Sequence, residues 1–210
     1  MPAREPLLDA AFAALARRPW AAVRMVDVAS AAGVSRQTLY NEFGSKEGLA
    51  RALVRREADA YLAGVERALR VPGDGRERLV AVAEWTVSAA RGNAVVRALL
   101  TGCWSARLPS LNLAAVASSS AVPAQRRADA ALPSPGDLVA AVRDRAAAAV
   151  GGGSGGEAAP ACELAVRLAL SCVAAPPGEG GGGAVGELVR GALHRQGADR
   201  EVLSPAPDRS

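Results

Sequence analysis

Arg36, Gln37, Tyr40 and Asn41 lie within six residues and carry the groups that bond to base edges and phosphates. An Arg forks onto guanine, and a Gln or Asn pairs with adenine. Leu39 and Phe43 are four apart, so on a helix they share one face and pack inward while the polar set points out. Ser35 is a good N-cap, because its hydroxyl accepts from an otherwise orphan backbone N–H. The exposed N-terminus of such a helix also suits a phosphate oxygen. The stretch Ser35 to Phe43 therefore predicts a short helix that lies in a DNA major groove, with Arg36, Gln37, Thr38, Tyr40 and Asn41 reading or gripping the duplex.

So short a helix needs support, and the residues before it supply that. Met25 to Ala32 reads as a helix with Val28, Ala29 and Ala32 facing inward. Gly33-Val34-Ser35 reads as a tight turn, in which Gly33 takes the positive φ that ends a helix. Helix, glycine turn, helix is the helix-turn-helix arrangement. The same spacing also suits an ordinary helical hairpin with a polar outer face.

The run from Val28 to Leu49 resembles the N-terminal DNA-binding domain of the TetR family of transcriptional regulators. The blocks that carry the resemblance are Ala32-Gly33-Val34-Ser35, Thr38-Leu39-Tyr40, Phe43, and Ser45-Lys46-Glu47 followed by Leu49. It covers roughly residues 5–56. The resemblance implies a ligand-responsive regulator, most often a repressor, that binds a palindromic operator as a homodimer and leaves it when a small apolar or amphipathic effector binds. It also implies that the helix after the head is a lever between effector site and DNA. One departure stands out: Arg24 occupies the position where relatives carry a Thr or Ser helix cap. Arg24 lacks the cap but can meet a phosphate.

Charge agrees with a polyanionic partner for the head. The 210-residue chain has a net charge of +4, and residues 1–56 hold nine basic against five acidic residues. The whole excess therefore sits in the first quarter, as expected of a DNA-binding head on a neutral body. Half the residues are hydrophobic but only 3% are aromatic, so the core must be aliphatic and rich in Ala and Val. Ala favours helix, and no period-two alternation stands out. The fold class expected is all-α: an N-terminal three-helix helix-turn-helix domain, residues 1–50, and a C-terminal α-helical ligand-binding and dimerisation domain, residues 51–197. Residues 198–210 are expected to form a disordered tail.

Taken in order, residues 1–6 read as loose and residues 7–16 as an amphipathic helix with Leu8, Ala11, Phe12 and Leu15 buried. Arg4 at its start suits either a phosphate contact or a solvated tail charge. Pro19-Trp20 breaks the helix, and Trp20 anchors the loop. Ser45 caps a long helix from Lys46 to about Leu69, with Leu49, Leu53, Ala60, Tyr61 and Val65 on a mixed face. Lys46, the chain's single lysine, is placed to meet the DNA backbone, a contact that positions without reading sequence. Further helices are expected over residues 76–90, 94–104 and 137–150. Residues 105–135 read as loops, with Leu108, Leu111 and Leu113 partly buried. Gly151 to Gly156 reads as a linker. Two more apolar helices follow, over residues 158–174 and along a face of Val185, Leu188, Val189, Ala192 and Leu193. This pair is what a four-helix dimer interface needs; two core helices of a monomer are the alternative.

Catalytic readings find little support. The chain has one histidine, His194, and three cysteines, Cys103, Cys162 and Cys172, with no zinc-ligand spacing. The glycine runs lack the Lys-Ser/Thr ending of a phosphate loop. No catalytic residues, metal ligands or cofactors are expected. The cysteines read as free thiols, no run reaches the length of a membrane span, and the cytoplasm is the expected compartment. Candidate pocket residues are Tyr61, Trp85, Cys103 and Trp104, chosen because aromatics are scarce; Cys103 beside Trp104 also suits a redox sensor. Two rival functions stay open: a dimeric DNA-binding regulator without an effector, and a helical small-molecule-binding protein whose head does not bind DNA.

Overall fold

The computed structural model describes residues 3–109, 132–150, 155–176 and 183–203. Leu111, Leu113 and residues 151–154 of the expected linker lie outside them. Among the described residues all regular structure is helical: α1 (Arg4–Arg17), a 3-10 turn (Trp20–Ala22), α2 (Met25–Ala31), α3 (Arg36–Phe43), α4 (Lys46–Ala68), α5 (Gly75–Gly92), α6 (Ala94–Thr101), α7 (Pro135–Val150), α8 (Gly155–Ala174) and α9 (Ala184–Leu203). The chain forms two compact units, one holding Met1–Ala60 and Ala94–Ser134, the other Tyr61–Asn93 and Pro135–Ser210.

The first unit is built on α1, which packs on α2 and α3, while α2 packs on α3. Leu7, Leu8, Ala11, Val28, Leu39, Phe43, Leu49 and Leu53 make its core. Fully burying one such leucine contributes about 1.5–3 kcal/mol. Helix α1 begins at Arg4, earlier than the loose start expected from sequence. Pro6 is tolerated in a first turn, where its missing N–H has no helical partner, and Glu5 complements the helix dipole there. Leu7 joins the buried stripe and Phe12 is only half-buried. Trp20 is buried as expected, and its backbone N–H donates to the Arg107 carbonyl at 2.8 Å. Helix α6 stops at Thr101, short of the Trp104 expected, because Gly102 follows it at φ 73.

In the second unit α5 packs on α7, α8 and α9, and α8 packs on α7 and α9. The core is aliphatic and built of small residues. It includes Leu79, Val82 and Ala83 of α5, Leu138 and Val142 of α7, Cys162, Ala165 and Ala169 of α8, and Val185 and Val189 of α9. Gly155 and Gly156, read as linker, open α8. Helix α9 continues to Leu203, into the stretch expected to be a tail. Its residues 198–203 are mostly helix formers, and the single Gly197 costs only about 1 kcal/mol. Ala60, on the mixed face of α4, and Leu188 of α9 are exposed. Each lies one residue off its helix's buried row, Leu53-Glu57-Tyr61 on α4 and Val185-Val189-Leu193 on α9, and one residue is 100° of rotation.

Two polar side chains are held inside this aliphatic body. The Thr86 hydroxyl donates to the Val82 carbonyl at 2.8 Å, so it accepts from the Tyr61 hydroxyl 3.0 Å away. Burial pushes the Tyr61 phenol up to about 12, against the smaller opposing effect of the Thr86 hydrogen bond. Trp85 lies against the backbone of α4 at Gly64; its Nε1 donates to the Tyr61 carbonyl at 3.1 Å, and the Arg67 guanidinium sits 5.7 Å from its ring centre.

Two outcomes are expected. A Cβ at Gly64 would run into the Trp85 indole. Gly64→Ala should therefore destabilise the protein in urea by about 1–3 kcal/mol, despite the better helix propensity of alanine; a gain in stability would show that the indole moves aside at no cost. The raised phenol pKa of Tyr61 means that its contribution is complete below the unfolded value near 10 and is lost as pH rises through the folded value of about 12. Stability measured against pH should fall across that window, and Tyr61→Phe should remove that component of the fall.

Candidate functional site

The outer face of α3 is shaped by how its two ends are tied. At the end of α2, the Gly33 N–H donates to the Ser30 carbonyl at 3.1 Å and the Val34 N–H to the Ala29 carbonyl at 3.0 Å, with Gly33 at φ 68. This is the double-bonded helix stop that favours glycine, and it fixes the angle at which the chain enters α3. Ser35 then caps α3 as expected: its hydroxyl accepts from the Thr38 N–H at 3.0 Å and lies 2.9 Å from the Thr38 hydroxyl. Leu39 and Phe43 are buried, which turns the opposite face outward.

That face carries Arg36, Gln37, Tyr40 and Asn41, all exposed; Tyr40, at 39%, is one of the few large hydrophobic side chains left open to solvent among the described residues. Thr38 is half-buried beside the cap. Nε2 of Gln37 donates to Oδ1 of Asn41 at 2.8 Å. Arg24 is exposed at the N-cap position of α2, where its side chain makes no capping bond.

Lys46 has more partners than its sequence position suggests. Its Nζ donates to the Ala21 carbonyl at 3.0 Å and lies 5.7 Å from the Trp20 ring centre. The side chain thus ties the start of α4 to the 3-10 turn. An ammonium has three donors, so N–H groups remain for a phosphate. Arg4 lies over the Phe43 ring, 5.1 Å from its centre. Among the ion pairs that brace the head are Arg18 with Asp27 at 3.1 Å and Arg56 with Asp9 at 2.6 Å. Arg56 also lies 5.9 Å from the centre of the Phe12 ring. These partners are nine and 47 residues apart, so helical spacing could not reveal them.

The four pocket candidates divide between the units. Tyr61 and Trp85 come together in the second unit through the bonds described above. Cys103, exposed, and Trp104, half-buried, follow α6 in the first. An open groove of about 510 Å3 on the first unit runs between α1 and α2, lined by Ala10, Ala13, Arg17, Asp27 and Ala31 among others, and holds none of the four. Burial pushes the Cys162 thiol above its ordinary range. Among the described residues no three His, Cys, Asp or Glu side chains group as metal ligands, and no helix is long and apolar enough to cross a membrane.

Residues 7–53 match the model of the bacterial regulatory proteins of the tetR family. The chain is 48% identical over 66 residues to the HTH-type transcriptional regulator AlkX of Mycobacterium tuberculosis, a match spanning 31% of each chain. The chain thus matches about a third of the length of that curated relative. Over nearly its whole length its fold is similar to that of solved proteins. The TetR family repressor AlkX of Dietzia sp. strain DQ12-45-1b, implicated in biodegradation of n-alkanes, superposes with a TM-score of 0.53 at 24% identity, covering 95% of this chain and 98% of that one. The regulator FadR of Bacillus subtilis, solved with stearoyl-CoA, gives 0.51 at 15% identity, covering 88% and 96%. The likeness to the tetR family of bacterial regulatory proteins is thus one of the N-terminal head, residues 7–53.

Proposed function

We propose that this chain is a homodimeric transcriptional repressor that holds a palindromic operator through α3 and releases it when a small apolar or amphipathic molecule binds the helical body. The observation that carries the reading is the outer face of α3, where Arg36, Gln37, Tyr40 and Asn41 stand exposed on a helix fixed from behind by Leu39 and Phe43. Arg24, Ser35 and Thr38 complete the contact surface, and Lys46 meets backbone phosphate with the donors left by its bond to Ala21. The excess positive charge of residues 1–56 supports the same partner.

What α8 and α9 leave uncovered supports the dimer. Leu188 of α9 is 50% exposed, and Leu164 and Leu168 of α8 are only half-buried. A second copy would bury these leucines in a four-helix interface. Two recognition helices about 34 Å apart then reach successive major grooves on one face of the duplex. The effector reading draws on the n-alkane role of the Dietzia repressor and the stearoyl-CoA of the Bacillus regulator, and Tyr61 and Trp85 are the proposed pocket residues. The effector can act only by its different affinity for the DNA-bound and DNA-free forms.

The test is a binding titration on a selected operator across a salt series. Affinity should fall steeply with salt, as counterions are released from the phosphates. Arg36→Ala should weaken specific binding by about tenfold or more, with little change on unrelated DNA. Weak binding that is equal on all DNA would sink the repressor reading. Leu188→Glu should shift the protein from dimer towards monomer in sedimentation equilibrium and weaken operator binding with it. Long-chain acyl-CoA is the first effector to add; an operator affinity unchanged by any apolar or amphipathic ligand at saturation would remove the effector from the proposal.

A further inference from the structure

One hydrogen bond on α3 joins two base-reading side chains to each other. Gln37 Nε2 donates to Asn41 Oδ1 at 2.8 Å, between residues one helical turn apart and both exposed. An unconstrained carboxamide reads adenine alone, accepting from N6–H with its oxygen and donating to N7 with its nitrogen. Here each amide has turned one of those two atoms towards the other. The bond takes one of the two Gln37 Nε2 hydrogens and one of the two Asn41 Oδ1 lone pairs, so the atoms left wholly uncommitted are the Gln37 Oε1 acceptor and the Asn41 Nδ2 donors. Exchanging oxygen and nitrogen in both amides swaps the roles and still leaves one acceptor and one donor.

We propose that Gln37 and Asn41 act as one composite reader of a single adenine in each half-site, one side chain accepting from N6–H and the other donating to N7. The proposal rests on the DNA-binding reading above and adds the base to it. An acceptor beside a donor matches adenine. Guanine shows two acceptors in the major groove, so its O6 would face the Gln37 oxygen with no hydrogen between them. Thymine and cytosine each offer a single polar group there, leaving one half of the pair unmet. The link also holds two flexible side chains in one arrangement before DNA arrives, so less rotamer freedom is lost on binding.

The test starts from an operator selected by the wild-type protein from a random duplex pool. Each adenine of the half-site is then replaced in turn by 7-deazaadenine, which lacks N7, or by purine, which lacks the N6 amino group. At one position both analogues should weaken wild-type binding, each by about threefold to tenfold. At that position Asn41→Ala should lose its sensitivity to 7-deazaadenine and keep its sensitivity to purine, and Gln37→Ala should do the reverse. Circular dichroism melts of the two variants should match the wild type, since both residues are exposed. The proposal is overturned if one variant abolishes both sensitivities, which would mean a single amide reads the base. It is also overturned if a site-specific wild-type protein shows the two sensitivities at different positions or at none. A pool that yields no preferred sequence would instead overturn the DNA-binding reading beneath it.

Discussion

An eight-residue helix has too few internal hydrogen bonds to persist in water by itself. Everything α3 can do depends on Leu39 and Phe43 being buried against the rest of the head. That burial decides which side chains are left outside, because the rotation of a short helix is set by the two residues it hides. The glycine stop after α2 and the Ser35 cap then fix how the helix is entered. A polar face that would wander on an isolated peptide is held at one rotation, by groups that touch no ligand themselves.

The second unit solves a different problem with a different residue palette. With so few aromatics, the core relies on Ala and Val, which bring helices close but leave few large side chains to define position. Trp85 and Tyr61 supply that definition. The indole rests on α4 where Gly64 leaves room, and its N–H reaches the Tyr61 carbonyl. The phenol is tied to Thr86 on α5. Two helices are therefore joined by directional bonds inside an otherwise non-directional core, and such bonds fix register in a way that Ala-Val packing does not.

Much of the head could be read from spacing because its signals are local. Ser35, Leu39, Phe43 and Gly33 act on neighbours within a turn or two, and each does in the fold what its type and position suggested. Legibility fell where the deciding partner is far along the chain. Arg56 and Asp9 meet across 47 residues, and the partner of Lys46 is a carbonyl, which no side-chain pattern can encode. Ala60 and Leu188 adjoin buried rows, and on a helix an adjacent residue is already turned well away. The extension of α9 to Leu203 reflects ordinary helix formers outweighing one glycine.

Lys46 has a consequence that reaches beyond binding. It is the only lysine in the chain, so apart from the α-amino group it is the one amine that acylating reagents can find. Its nitrogen sits where the 3-10 turn meets the start of α4. Acetylation there would remove the charge from the Trp20 ring and block two of the three donors at once. Amine chemistry, which on most proteins reports an average over many sites, would on this chain report on a single joint of the head.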